Sequence, residues 1–295
     1  MAVQDADIIE ADRRRDGTGG GAQAELRLQA SGFLIELSLD WIVRRASSNI
    51  DRLLGESHVT LIEEPLGRFV QAQALHDLRN HFSRLSGSTG VAKAYRVRLA
   101  DGRPRCDIAF QLSESCVLLE AVPSPEQGLG ESLGAVGGLI DGLARLSGKA
   151  LLDSAARRMR ALTGCDGCRI ALGEAMASSY RGSFTLGDGL GLPGPAIITD
   201  TEAETVPIFP SRAKDSAIAA ALLKSPPDAV VRQLRDLGAR SLLNVPIDYQ
   251  GETVGVIQCA WRSAREPNFE LHGAAELFGQ MLALRLDIDR LRAGS

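Results

Sequence analysis

The chain has 295 residues, enough for two domains that each bury a core, and its 44% hydrophobic and 24% charged content is that of a globular protein, not a disordered one. A net charge of −4 with acids and bases interspersed supplies no electrostatic footprint for nucleic acid or an anionic membrane. No apolar run of about 18 residues exists to span a bilayer, acids precede Arg13-Arg14-Arg15 where a signal peptide would be apolar, and five irregularly spaced cysteines make no disulfide framework; a cytoplasmic protein with reduced thiols is expected.

Residues 1–24 are polar and glycine-rich, with Gly17 and Gly19-Gly20-Gly21 near their end, and read as a mobile tail. From 25 to 123 the pattern is that of a first domain. A strand is expected from Gly32 to Leu37, a turn at Leu39-Asp40 and a second strand at Trp41-Ile42-Val43. Ser47 or Ser48 is placed to cap a short helix holding Ile50, Leu53 and Leu54 and ended by Gly55. A helical stretch from Pro65 to Leu85 carries Phe69, Val70, Ala74, Leu78 and Phe82 on one face. Strands follow at Ala94–Leu99, Arg105–Leu112 and Cys116–Ala121, the first two joined by an Asp101-Gly102 turn. This order of elements is that of a PAS domain.

Pro123-Ser124-Pro125 and Gln127-Gly128-Leu129-Gly130 punctuate the chain, and a second domain is expected over 131–295. Helices are read at Leu133–Leu146 and Leu151–Leu162, and strands at Cys168–Leu172, Met176–Tyr180 and Ile197-Ile198. An amphipathic helix (Val230, Val231, Leu234, Leu237) stopped by Gly238 leads into two strands joined at Tyr249-Gln250-Gly251. Helices on an antiparallel sheet of five or six strands are the GAF plan, so the fold class is α+β, a PAS domain followed by a GAF domain. In the last helix, from Asn268 to about Arg292, Ala274, Leu277, Met281, Leu284, Ile288 and Leu291 recur at heptad spacing and predict a homodimer interface, joined by the helix at 133–146.

Ordered segments across 28–291 resemble the PAS-GAF half of bacteriophytochromes. Leu28-Gln29-Ala30-Ser31-Gly32 stands where that family has I-Q-P-H-G, and Ala46-Ser47-Ser48-Asn49 where it has A-S-A-N. Leu162-Thr163-Gly164-Cys165-Asp166 matches L-T-G-Y-D, and Ile197-Ile198-Thr199-Asp200 and Val206-Pro207-Ile208-Phe209-Pro210 match L-I-A-D and V-P-L-L-P. Leu234-Arg235-Asp236-Leu237-Gly238 and Gly255-Val256-Ile257-Gln258-Cys259-Ala260-Trp261 match L-R-N-M-G and G-L-I-A-C-H-H. The resemblance implies a lasso around residues 200–204 through which the N-terminal segment threads as a knot, with Leu26 and Leu28 as the threaded residues.

The resemblance also implies a biliverdin pocket, and at its key positions this chain departs from the family. The attachment cysteine lies upstream of I-Q-P-H-G in the family, whereas the first cysteine here is Cys106. The P-A-S-D-I-P motif has no counterpart in the short segment between Tyr180 and Ile197. Val230 and Ala260 stand where the family has pocket histidines, and Lys224 replaces an arginine that forks onto a bilin propionate. A module without cofactor is expected, acting through homodimerisation and contact with a signalling protein such as a histidine kinase or regulator. The alternative is a photoreceptor or sensor that binds biliverdin or another tetrapyrrole non-covalently in a rearranged pocket.

Other candidate chemistry reads as structural. Cys165 and Cys168 have C-x-x-C spacing but no second pair or histidine to complete a zinc site, and Cys259 reads as a core thiol. His58, His76, His81 and His272 read as surface residues, and Gly128, Gly130, Gly134, Gly137 and Gly138 as a linker and close helix packing. Asp200–Glu204 reads as a solvated loop. No converging acid, base or nucleophile marks an enzyme, and no metal is expected.

Overall fold

The computed structural model describes residues 26–83, 91–112, 116–125, 130–192, 194–212 and 216–293. The tail predicted over 1–24 and the linker residues 126–129 lie outside them. The first half contains β1 (Leu28–Gln29), β2 (Phe33–Leu37), β3 (Val43–Ser47), α1 (Asp51–Leu54), α2 (His58–Leu61), α3 (Ala72–Ser83), β4 (Ala92–Val97), β5 (Cys106–Leu112) and β6 (Val117–Pro123). Its second strand begins only at Val43 because Trp41, at φ 68°, closes the preceding turn, its N–H donating to Ser38. Ser47 is not a helix cap: it ends β3, and its hydroxyl accepts from the Leu34 N–H. The short helix is stopped by Gly55 at φ 88°, as its left-handed C-cap.

The second half contains α4 (Glu131–Asp141), α5 (Gly148–Thr163), β7 (Gly167–Leu172), β8 (Ala175–Tyr180), β9 (Ala196–Ile198), β10 (Thr205–Val206), β11 (Ile208–Phe209), α6 (Ser216–Ala219), α7 (Asp228–Asp236), β12 (Ser241–Tyr249), β13 (Glu252–Trp261) and α8 (Phe269–Ala293). Five of its strands form an antiparallel sheet in the order β8-β7-β13-β12-β9. Gln250 and Gly251, at φ 52° and 84°, make the tight β12–β13 turn with both central residues left-handed. Leu243, Val245, Ile247, Ile257 and Cys259 on one sheet face pack with Met159 of α5 and Phe278 and Leu282 of α8.

The two halves share strands. β11 pairs with β3 and completes a six-stranded antiparallel sheet, β11-β3-β2-β6-β5-β4. That sheet is buried on both faces, which is why β6 reads as nearly continuous apolar sequence: Val117, Leu119 and Ala121 face the helices of the first half, while Leu118 and Val122 join the core of the second. Glu120, fully buried between them, accepts the N–H groups of Leu222 and Leu223, both at 2.8 Å. β1 is bracketed by the segment between β9 and α7: Leu28 and Gln29 pair with Val206 and Thr205 on one side, and Gln29 N–H donates to the Leu223 carbonyl on the other. The Gln29 carboxamide then donates to Ile197 O at 2.7 Å and accepts from Thr199 N at 2.8 Å, standing in for a neighbouring strand at the edge of β9. Leu28, predicted as a threaded residue, is wholly buried in this bracket, and Leu26 packs against the same core.

Candidate functional site

The face of the five-stranded sheet away from α5 and α8 is the floor of the pocket implied by the sequence. Strand register aligns Tyr180, Gly167, Ala260, Leu242 and Ile198 in one row across it, and Ser178, Arg169, Gln258, Asn244 and Ala196 in the next. The first row is covered by the chain's own side chains. Phe184, Leu186 and Leu190 from the loop after β8, with Val230 and Leu234 from α7, form a buried cluster with Ala260, Leu242 and Ile198. Phe184 lies so close over Gly167 that a Cβ there would meet its ring at 2.6 Å.

The second row fixes the covering loop in place. Gln258, 1% exposed, donates to Leu190 O and to Asn244 Oδ1, each at 2.8 Å, and accepts from Leu190 N at 3.0 Å. Asn244 in turn donates to Gly194 O at 2.8 Å. Gly189, at φ 91°, permits the close pass: a Cβ there would lie 2.6 Å from Arg169 and 2.8 Å from Gln258 Oε1. These loop residues escaped the sequence reading because the segment has no periodicity. Its alternation of glycine with Phe184, Leu186 and Leu190 is the only trace it left.

The structure brings together two of the three predicted pocket positions. Val230 and Ala260 are buried in the same apolar cluster. Lys224 lies elsewhere: its Nζ donates to Pro195 O at 2.9 Å and Ala221 O at 3.1 Å. Burial pulls its pKa below the ordinary lysine range, with the charge of Glu120 opposing.

Along α8 the predicted seam divides. Ala274 is fully buried in the protomer's own core and Met281 packs against it, whereas Leu277, Leu284, Ile288 and Leu291 are 40%, 49%, 37% and 68% exposed. Beside this stripe runs α4, whose Gly134, Gly137 and Gly138 have nothing within 4 Å of where a Cβ would stand. Close packing within the protomer, expected of these glycines, is therefore not their role. Gly128 lies outside the described residues.

Cys165, Cys168 and Cys259 converge in the core below the sheet, all fully buried. A hydrogen bond with Cys259, together with burial, pushes the Cys165 thiol far up, and no group of three metal-binding side chains occurs among the described residues. Asp200 is not simply solvated: it forms an ion pair with Arg240. His76 is exposed and bonded to Asn80, and His58 stacks on Phe209 at 4.7 Å. His272 overturns the surface reading: it is 1% exposed, where the first turns of α8 pass between the two sheets.

Residues 148–288 match the GAF domain family. The fold is similar to the chromophore-binding domain of an unusual bacteriophytochrome from R. palustris, 20% identical, TM-score 0.71, over 89% of this chain and 95% of that one. It is likewise similar to the chromophore-binding domain of Stigmatella aurantiaca phytochrome P1, 20% identical, TM-score 0.72, over 90% and 98%. A longer bacteriophytochrome structure from R. palustris is 18% identical with TM-score 0.72, and 90% of this chain covers 59% of it. The fold is thus the PAS-GAF arrangement of phytochrome chromophore-binding domains, and the chain is phytochrome-like in architecture. No curated protein matches it significantly. Among the described residues no helix is long and apolar enough to cross a membrane.

Proposed function

We propose that this chain is a phytochrome-like signalling module that has given up bilin binding and works through protein contacts. The observation that carries the reading is the covered pocket floor: Phe184, Leu186 and Leu190 occupy it, Gln258 holds them there, and Val230 and Ala260 offer no imidazole to a tetrapyrrole. A dianionic bilin needs donors and cations aimed at its pyrroles and propionates; the apolar row supplies neither, and in the next row Gln258 and Asn244 spend their donors on each other and the covering loop while Arg169 lies against Gly189 of that loop. The module is not an enzyme and acts in the cytoplasm on a signalling protein such as a histidine kinase or regulator.

Its assembly is a homodimer along α8. Leu277, Leu284, Ile288 and Leu291 form a contiguous apolar stripe of a kind that monomers rarely expose, and the open glycine face of α4 lets a second helix approach closely. The absorption spectrum of protein co-expressed with biliverdin synthesis tests the functional reading. No band in the red is expected, and neither is one on titrating purified protein with biliverdin. A red-shifted band that survives denaturation overturns the proposal, and a reversible one favours a tetrapyrrole sensor with a rearranged pocket.

A further inference from the structure

The five-stranded GAF sheet has two edges, and the chain treats them differently. At β9 the edge is covered: the Gln29 carboxamide donates to Ile197 O, and Ile197 N–H donates to Leu222 O at 2.7 Å. At the other edge β8 pairs with β7 alone, and among the described residues none of its backbone groups hydrogen-bonds to anything else. We propose that β8 takes up an extended acidic segment of the signalling partner as a sixth strand of this sheet. The proposal rests on the reading that the module works through protein contacts, and it gives one such contact a place and a chemistry.

Three observations carry the proposal. First, β8 lacks the devices that keep an edge from recruiting a strand: Ala175-Met176-Ala177-Ser178-Ser179-Tyr180 holds no charge, proline or glycine, and its register with β7 runs through six pairs without a bulge. Second, there is room along it. A groove of about 360 Å³ is lined by Arg169, Met176 and Ser178 from one face of the sheet and by Lys149, Asp153 and Ala177 from the other, so it wraps the outer side of the strand. A groove of about 1130 Å³ shares Lys149 and Met176 with it and has Leu172, Val254 and Leu286 in its wall. Third, one guanidinium stands on each face of the strand. Arg169, opposite Ser178 in the β7–β8 pair, donates through Nη2 to Met176 Sδ at the surface, and Arg160 of α5 donates through Nε to Ser179 Oγ at 2.9 Å. Neither arginine forms an ion pair among the described residues, while Lys149 is already held by Asp153 at 3.1 Å. Successive residues of a strand point to opposite faces, so two adjacent carboxylates on an added strand meet both guanidiniums. Glu174 and Glu252 line the larger groove, which puts the partner's apolar residues at that end and its carboxylates at the end near Tyr180.

The probe is a capped heptapeptide, Thr-Glu-Glu-Thr-Val-Thr-Val, designed to lie antiparallel to β8 as the other pairs of this sheet do. Calorimetry on the full chain without biliverdin should give saturable binding of one peptide per protomer, and hydrogen exchange should show new protection within β8. Replacing both glutamates by lysines should weaken binding by about tenfold or more, since a charge-assisted hydrogen bond is worth about that factor, and Arg169→Gln should do the same with unaltered thermal melting. Methylating alternate peptide nitrogens, on the side that faces β8, should abolish binding, because main-chain bonds supply the affinity of an added strand. Arg160→Gln should act like Arg169→Gln; if it lowers the melting temperature, Arg169→Gln and the peptide controls still decide. The absorption test of the pocket is recorded without peptide, so failure of this docking edge and failure of the functional reading are told apart. Absence of saturable binding overturns the proposal, as does equal affinity for the lysine peptide, binding that survives nitrogen methylation, or binding without protection in β8.

Discussion

Gln258→Leu removes the clasp that holds the covering loop on the GAF sheet. The wild-type side chain makes three bonds, two to the Leu190 backbone and one to Asn244. At about 1 kcal/mol net for each, the loss is about 3 kcal/mol. Leaving the Leu190 N–H and Asn244 Oδ1 dry and unpaired would cost more, although the Leu190 carbonyl keeps the Leu192 N–H, and the loop can escape by swinging into water. That escape exposes Phe184, Leu186 and Leu190 at about 1.5–3 kcal/mol each, so the detached state is populated without becoming dominant. Urea unfolding should show the destabilisation, and hydrogen exchange should show faster exchange at the Leu190 amide and its neighbours, with α5 and α8 unchanged. Unaltered exchange at Leu190 together with a loss under about 1 kcal/mol would refute the clasp, and with it the physical basis of the covered pocket.

Two further perturbations test other joints of the structure. Burial raises the Glu120 carboxyl from 4.5 to about 7, against the N–H groups of Leu222 and Leu223 and the charge of Lys224, which pull it down. A carboxyl raised on folding stabilises most fully below pH 4.5, and that contribution declines as pH rises through 7. It amounts to about 3 kcal/mol at 1.36 kcal/mol per pH unit. Thermal melts between pH 5 and 8 should therefore fall more steeply for wild type than for Glu120→Gln, and identical slopes would show that this carboxyl does not titrate in that window. Leu284→Asp places a charge in the exposed stripe of α8, where leaving it unpaired in a dimer interface costs on the order of several kcal/mol. The variant should run as a folded monomer by light scattering; a wild type already monomeric at micromolar concentration, or a variant that stays dimeric, removes the basis for assembly along α8.

Legibility in the sequence tracked how local each feature is. Gly55 and Gly238 were readable as helix stops, and each adopts the positive φ that such a stop requires. The Gln250-Gly251 turn and the β12–β13 strands followed from the residues themselves. β10 and β11 did not, being two residues each with partners more than 150 positions away, so no periodicity could betray them. Ser47 has the residue type of a cap but is taken by the sheet, and His272 lies on a helix whose beginning is buried on all sides, where polarity misleads. Motif alignment singled out Val230 and Ala260, but the cluster they share with Phe184, Leu186 and Leu190 was not legible, because those three sit in an irregular loop shaped by Gly189 and Gln258.

The bracketed strand at Leu28–Gln29 sets a timetable for synthesis. Gln29 finds its most distant partner 195 residues later, at Lys224. At about 5–20 residues per second, a ribosome needs roughly 10–40 s to make the gap, and during that time Leu28 and the Gln29 carboxamide have nothing to dock against. Glu120 waits about half as long, its acceptor oxygens preceding Leu222 and Leu223 by 102 and 103 residues. The first sheet therefore emerges with one apolar face and one buried-to-be carboxylate open to chaperones, and a chain released after the first half carries that unfinished face permanently. Expression of residues 25–123 alone would meet the same vulnerability, and the later half acts as the intramolecular cover that ends it.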